Sequence, residues 1–206
     1  MASSDITSLP INACNRRLLA LRGQLFGSHV DAVGTCPACG DESEIAFSLE
    51  PLLDTQVRSE RLRFTWRNQQ LELRPLTTQD LLDAQALPLE RARRHLAGQC
   101  VMISTESALP ADPQQWDDEL IDLIEEQLVG ADPLAEIELC LSCPICGAAW
   151  TVRLDIADYL SREVDIWVKQ LLRDVAVLAR AFGWHEKEIL RLPAWRREFY
   201  LETLTS

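Results

Sequence analysis

Two copies of one short motif, Cys36-Pro37-Ala38-Cys39-Gly40 and Cys143-Pro144-Ile145-Cys146-Gly147, stand 107 positions apart in this chain. They constrain the fold more than any other feature, because four thiolates that share one tetrahedral ion must bring both segments to the same place. In each copy the proline sets a tight turn, and the glycine after the second cysteine frees backbone N–H groups to face the sulfurs. The likeness runs past the cysteines. Ile45, Phe47 and Leu49 fall at the same offsets as Val152, Leu154 and Ile156, alternating as in a β-strand. The repeated unit is therefore a knuckle followed by a strand.

Cys36, Cys39, Cys143 and Cys146 are the candidate ligands of one structural Zn2+ ion. The competing functional reading is a thioredoxin-like dithiol, and the plain one is four inert buried cysteines. A redox CxxC usually stands alone at the opening of a helix after a βαβ strand, whereas two matched pairs here each lead into an alternating stretch. Four-cysteine ligation leaves no open coordination position, so the ion acts as a staple rather than a catalyst. The staple closes a loop of more than a hundred residues and argues for one domain over 1–206. Its expected segments are an N-terminal helix at 1–28, the first knuckle and β-hairpins at 29–76 and a helical insert at 77–130. The second knuckle β-unit follows at 131–156 and C-terminal helices at 157–206. The fold class expected is α+β: two zinc-knuckle β-hairpin units joined by one four-cysteine zinc site and packed with helices, including a long C-terminal core helix and a helical hairpin.

Cys14, Cys100 and Cys140 bring the cysteines to an odd seven, which argues against a disulfide framework and for a reducing compartment. Cys140 is close enough to the second knuckle to rival its ligands, but in Ile137-Glu138-Leu139-Cys140-Leu141 it reads as a small apolar residue packing from a strand. With 47% apolar residues in 206, the chain can bury a sizeable core. Lys and Arg total 20 against 32 Asp and Glu, a formal net charge of −12, which disfavours general attraction to nucleic acid. No apolar run approaches the ~20 residues of a membrane span, and Met1-Ala2-Ser3-Ser4-Asp5 lacks the start of a signal peptide. A cytoplasmic protein is expected.

Along the chain, Asn15 to Phe26 reads as an amphipathic helix ended by Gly27. His29 to Leu53 reads as strand, knuckle and strand, and Arg61 to Leu76 as a hairpin with Asn68-Gln69-Gln70 at its tip. Thr77 or Thr78 caps a helix containing Asp80, and Pro88 opens a locally basic one carrying Arg91, Arg93, Arg94 and His95. That basic run is short and lacks interleaved aromatics, so it reads as a solvated or salt-bridged face rather than a phosphate site. A surface loop is expected from Ser104 to Pro113. The acidic helix from Trp116 to Val129 carries Asp117, Asp118, Glu119, Asp122, Glu125 and Glu126 on a solvated face, without neighbours that would split their pKa values for acid–base work. The longest helical signal runs from about Ile156 to Phe182 and stops at Gly183. A short helix follows over Trp184–Leu190, and a third starts at Pro193. His185-Glu186 opens like an HExxH metal motif, but Ile189 stands where the second histidine would be.

Leu178-Ala179-Arg180-Ala181-Phe182-Gly183-Trp184, then Glu188-Ile189-Leu190, and Arg196-Arg197-Glu198-Phe199-Tyr200-Leu201-Glu202 resemble the C-terminal signature of baseplate hub assembly proteins of contractile phage tails. Related proteins occur in phage-like contractile injection systems. The resemblance extends back through Asp155-Ile156-Ala157, both knuckles and Leu76-Thr77-Thr78-Gln79-Asp80-Leu81-Leu82, and so covers most of the chain. His185 departs from the better helix-capping residue expected at its position. The resemblance implies a non-enzymatic assembly chaperone or minor component of the hub, with hub, spike or wedge proteins as partners and the producing cell's cytoplasm or the assembled particle as its place. The residues agree in what they omit: no phosphate-cradling glycine loop, no nucleophile elbow and no open metal site. No nucleic-acid, membrane or small-molecule partner is expected. Trp184, Trp195, Phe199 and Tyr200 are candidates for a partner-facing patch, since Trp and Tyr dominate binding hot spots; packing within the terminal hairpin is the competing role. Two other classes remain: a zinc-ribbon nucleic-acid or transcription adaptor, which needs a basic surface, and a thiol oxidoreductase, which needs an accessible low-pKa cysteine.

Overall fold

The computed structural model describes residues 6–55, 61–102 and 109–205; the Met1–Asp5 start and positions 104–108 of the expected loop lie outside the described residues. The fold is α+β. By contact the chain divides into two units, Met1–Ile156 and Ala157–Ser206. One domain over 1–206 was the expectation, and the division falls where the C-terminal helices were expected to begin.

In the first unit, α1 (Ile11–Phe26) begins four residues before the expected Asn15, with Pro10 at its N-cap. Its opening turn carries the wholly buried Asn12, a polar residue that apolar periodicity does not reveal. Gly27, at φ +86°, ends it, a left-handed conformation that favours glycine. Strands β1 (His29–Thr35) and β2 (Glu42–Ser48) form the first hairpin. The chain then turns into the short α2 (Glu50–Leu53) instead of continuing as strand, with Pro51 in its first turn, where a missing N–H costs nothing.

The hairpin of β3 (Leu62–Trp66) and β4 (Gln69–Leu73) pairs Leu62 with Leu73, Phe64 with Leu71 and Trp66 with Gln69. Its tip is Arg67-Asn68, both at positive φ, as a two-residue type I′ turn requires. The expected tip was displaced because Gln69 and Gln70, though polar, belong to the strand. After α3 (Thr78–Ala84) and α4 (Leu89–Cys100), the two-residue β5 (Val101–Met102) adds to β4. Helix α5 (Asp118–Ala131) then places Leu120, Ile121 and Ile124 against Leu71, Leu73, Ala97, Cys100 and Trp116. The β3–β5 sheet thus shares its core with the helical insert.

The two charged helices answer one another. The Arg93 guanidinium forks onto Glu125 at 2.8 Å and also reaches Asp122 at 2.9 Å, while Arg94 donates to the Trp116 carbonyl and pairs with Asp118. The basic run of α4 is therefore occupied by the acidic face of α5. The first unit closes with β6 (Ile137–Ser142) and β7 (Ala149–Leu154). In the second unit, Val175 and Leu178 of α6 (Ile156–Phe182) pack with Ile189 of α7 (Glu186–Arg191), and α8 (Ala194–Thr205) adds Tyr200 and Leu201. Helix α7 starts two residues later than expected, after Gly183 at φ +68° and after His185, whose backbone N–H donates to the Glu188 carboxylate at 3.1 Å. Among the described residues, no helix is long and apolar enough to cross a membrane.

Candidate metal centre

The duplicated motif folds as a duplicated structure. Thr35 pairs with Glu42 across the first knuckle and Ser142 with Ala149 across the second, and at the far ends Val30 pairs with Phe47 and Ile137 with Leu154. Each of these positions is matched at the 107-residue offset. Within the turns, the Gly40 N–H donates to the Cys36 carbonyl at 2.8 Å and the Gly147 N–H to the Cys143 carbonyl at 2.9 Å. The Cys36 and Cys143 N–H groups close the loops onto the Asp41 and Ala148 carbonyls, both at 2.9 Å. Gly40 and Gly147 take φ of +74° and +73°, so both turns need a residue without a Cβ.

These turns bring Cys36, Cys39, Cys143 and Cys146 together, with all four sulfurs within 4.8 Å of one another. Cys36 Sγ lies 3.8 Å from Cys146 Sγ, and Cys39 Sγ lies 3.7 Å from Cys143 Sγ. Sulfurs bound tetrahedrally to one ion at ~2.3 Å stand about 3.8 Å apart, so the donor set fits a metal of that size. All four are free thiols; Cys36 and Cys143 are buried, while Cys39 and Cys146 are exposed. One side of the cluster faces the protein and the other faces water.

The thiols are unequal. Backbone N–H groups of Cys146 and Ile145 aimed at Cys143 stabilise its thiolate and bring its pKa down to about 7. At Cys39 the Asp41 backbone N–H pulls the same way, but the sulfur of Cys146, burial and the sulfurs of Cys36 and Cys143 outweigh it and push the thiol up to about 12. One negative charge forms readily, and further ones repel it unless a cation sits among them. Metal binding must therefore release protons. The apparent affinity should rise by about tenfold per pH unit for each proton released, so competition with a chelator at several pH values should show weakening retention as pH falls below 7.

The other cysteines stand apart from this cluster. Cys14 contacts the Ile6 carbonyl and the Thr78 hydroxyl. Cys100 is wholly buried in the core, and burial pushes its thiol up to about 12, the condition of an unreactive thiol. Cys140 sits on β6 opposite Thr151 but is exposed. The expectation that it packs inward is corrected: Ile137, Leu139 and Leu141 take the inward side, and alternation turns Cys140 outward.

Sequence reasoning missed what holds the hairpins in place. Buried Arg22 of α1 donates to the Gly27 and His29 carbonyls at 2.7 and 2.6 Å, fixing the entry into β1. Arg16 reaches the Leu53 and Thr55 carbonyls beyond β2, and Asn15 donates to the Leu134 carbonyl ahead of β6 at 2.7 Å. One helix therefore touches both repeats through polar side chains. Replacing Arg22 by Ala strands two carbonyls and should cost about 2 kcal/mol, read from urea unfolding of the metal-loaded protein.

The expected partner residues divide. Trp184 stacks on Phe182 at 4.8 Å and meets Tyr200 edge-on at 4.9 Å, so both are engaged in the terminal cluster. Trp195 and Phe199 are 67% and 58% exposed. A groove of about 770 Å³ lies between Ile11, Leu76, Leu81 and Leu128 with Asp132 and Glu136; none of the four clustered thiols lines it. Compared with protein-family models, curated proteins and solved structures, the chain matches none.

Proposed function

We propose that the four cysteines hold one structural zinc ion and that the protein is a non-enzymatic assembly factor or minor structural component of the baseplate hub in a contractile phage tail or phage-like injection system. The closed four-sulfur cluster, drawn from two copies of one knuckle, carries the metal half of this reading. An all-sulfur tetrahedral set suits zinc or iron, and once filled it leaves no position for substrate. The ion clamps the β1–β2 and β6–β7 hairpins and does no chemistry.

The hub half rests on the resemblance of 178–202 and of the knuckles. It is supported by exposed Trp195 and Phe199, the kind of aromatic surface that anchors binding partners. The cytoplasm of the producing cell is the place of action. Affinity purification of the tagged protein from its native host, with partners identified by mass spectrometry and metal quantified in the same eluate, tests both halves. Hub, spike or wedge proteins recovered with a one-zinc protein support the reading. Recovery of polymerase or nucleic acid instead discards the hub assignment in favour of an adaptor.

A further inference from the structure

The groove bounded by the start of α1, by α3 and by the end of α5 opens onto the core of the first unit. Leu62, Leu76 and Leu128 line it, and the same three side chains pack against the buried cluster that includes Leu71, Leu73 and Ile124. Elsewhere its lining is open to water: Leu81 of α3 is 43% exposed and Val129 of α5 is 61% exposed. A continuous apolar trough of this kind marks a binding surface, as single exposed apolar residues do not. At about 770 Å³ it has the room of a ligand pocket, ~300–1,000 Å³. Its half-exposed lining makes it a trough rather than an enclosure, which suits a length of polypeptide that enters at one end and leaves at the other.

Charge selects the kind of polypeptide. Among the described residues that line the groove, Asp132, Glu136 and Glu138 are acidic and Arg153 is basic. Arg153 is already engaged, with its Nε 2.5 Å from Glu136. Asp132 and Glu138 make no ion pair among the described residues. Asp132 is half-buried and accepts the Ala135 N–H at 3.1 Å. Burial raises its pKa against the pull of the Ala135 and Leu134 N–H groups. A cation brought alongside such a carboxylate relieves it, because an opposite charge favours the ionised form. The surrounding unit draws in the same direction, since 1–156 hold 24 acidic side chains against 12 basic. An acidic segment, or any anionic ligand, is repelled by this field, and a basic one is steered towards it.

We propose that this groove is the docking site for a short segment of a partner protein, with apolar side chains in the trough and a lysine or arginine set against its unpaired carboxylates. This inference depends on neither the zinc nor the hub. A random dodecapeptide library displayed on yeast and selected on the full-length purified protein tests it. Enriched sequences should set Lys or Arg among Leu, Ile, Val or Phe, and a synthetic copy of one should bind in fluorescence anisotropy, more weakly as salt is raised. Val129→Lys puts a cation on the exposed part of the lining. Asp132→Asn removes the negative charge and keeps an oxygen for the Ala135 N–H. Glu138→Lys reverses a charge at an exposed position. Each should weaken binding about tenfold or more, whereas Trp195→Ala should leave it unchanged. Unchanged circular dichroism and urea midpoints in these variants separate lost docking from lost folding. No enriched peptide, or enrichment of acidic ones, overturns the proposal. So does binding that survives Val129→Lys and Glu138→Lys, or that Trp195→Ala abolishes. Concentration-dependent dimerisation that the peptide competes away would make a second copy the occupant, and overturns it too.

Discussion

Cys146→Ser should lose the metal and unfold the β1–β2 and β6–β7 hairpins as a pair. The binding free energy of a structural four-sulfur zinc site is about 10–16 kcal/mol near neutral pH, and in such sites it acts as folding free energy. That is as large as the ~5–15 kcal/mol stability of a whole domain. The repeats have little else to replace it. Each is a two-stranded sheet, and an isolated hairpin is marginal in water. Hydrogen exchange should accordingly show the largest loss of protection in these four strands, and thermal unfolding should move to lower temperature. A chelator that strips the wild-type protein should produce the same pattern. Cys14→Ser should leave metal content and strand protection unchanged, because Cys14 lies outside the cluster.

Asp80→Ala should be the most damaging change away from the metal, at about 3–5 kcal/mol. Its carboxylate receives both arms of Arg74 at 2.7 and 2.8 Å, together with the Thr77 hydroxyl and backbone N–H at 2.7 and 2.8 Å. Thr77 in turn caps α3 by accepting from the Asp80 N–H. Removing the carboxylate takes away the acceptor of the Thr77 N–H, the reciprocal half of the capping box, and leaves the guanidinium without its counter-charge. Burial by itself would raise this carboxyl, but the Arg74 and Thr77 donors prevail and hold it at about 2. An unfolded aspartate titrates near ~3.9. The contribution is therefore complete above about pH 4 and is lost as pH falls through about 2. Urea midpoints measured across that window should decline in the wild type, and Asp80→Asn should remove this part of the decline.

The knuckles were legible because their chemistry demands particular residues at particular offsets. Cys, Pro and Gly recur 107 positions apart, and the paired registers recur with them. The long helix was legible for a similar reason: its apolar residues repeat without interruption from Ile156 until Gly183 stops it. Polar side chains that act over distance were not legible. Asn15, Arg16 and Arg22 look like the wet face of α1, and only the fold shows them reaching backbone carbonyls on either side of it. The basic helix read as a solvated or salt-bridged face and the acidic one as solvated, and nothing local in the sequence says that Arg93 will meet Glu125 across 32 residues. Cys140 failed for want of a register, since one step along β6 decides whether its thiol faces in or out.

Zinc K-edge X-ray absorption on the protein as purified from its producing cell would report the coordination shell itself. The account predicts one zinc per chain with four sulfur neighbours at ~2.3 Å and no nitrogen or oxygen ligand. A folded protein with no stoichiometric metal, or a shell containing fewer than four sulfurs, would contradict it.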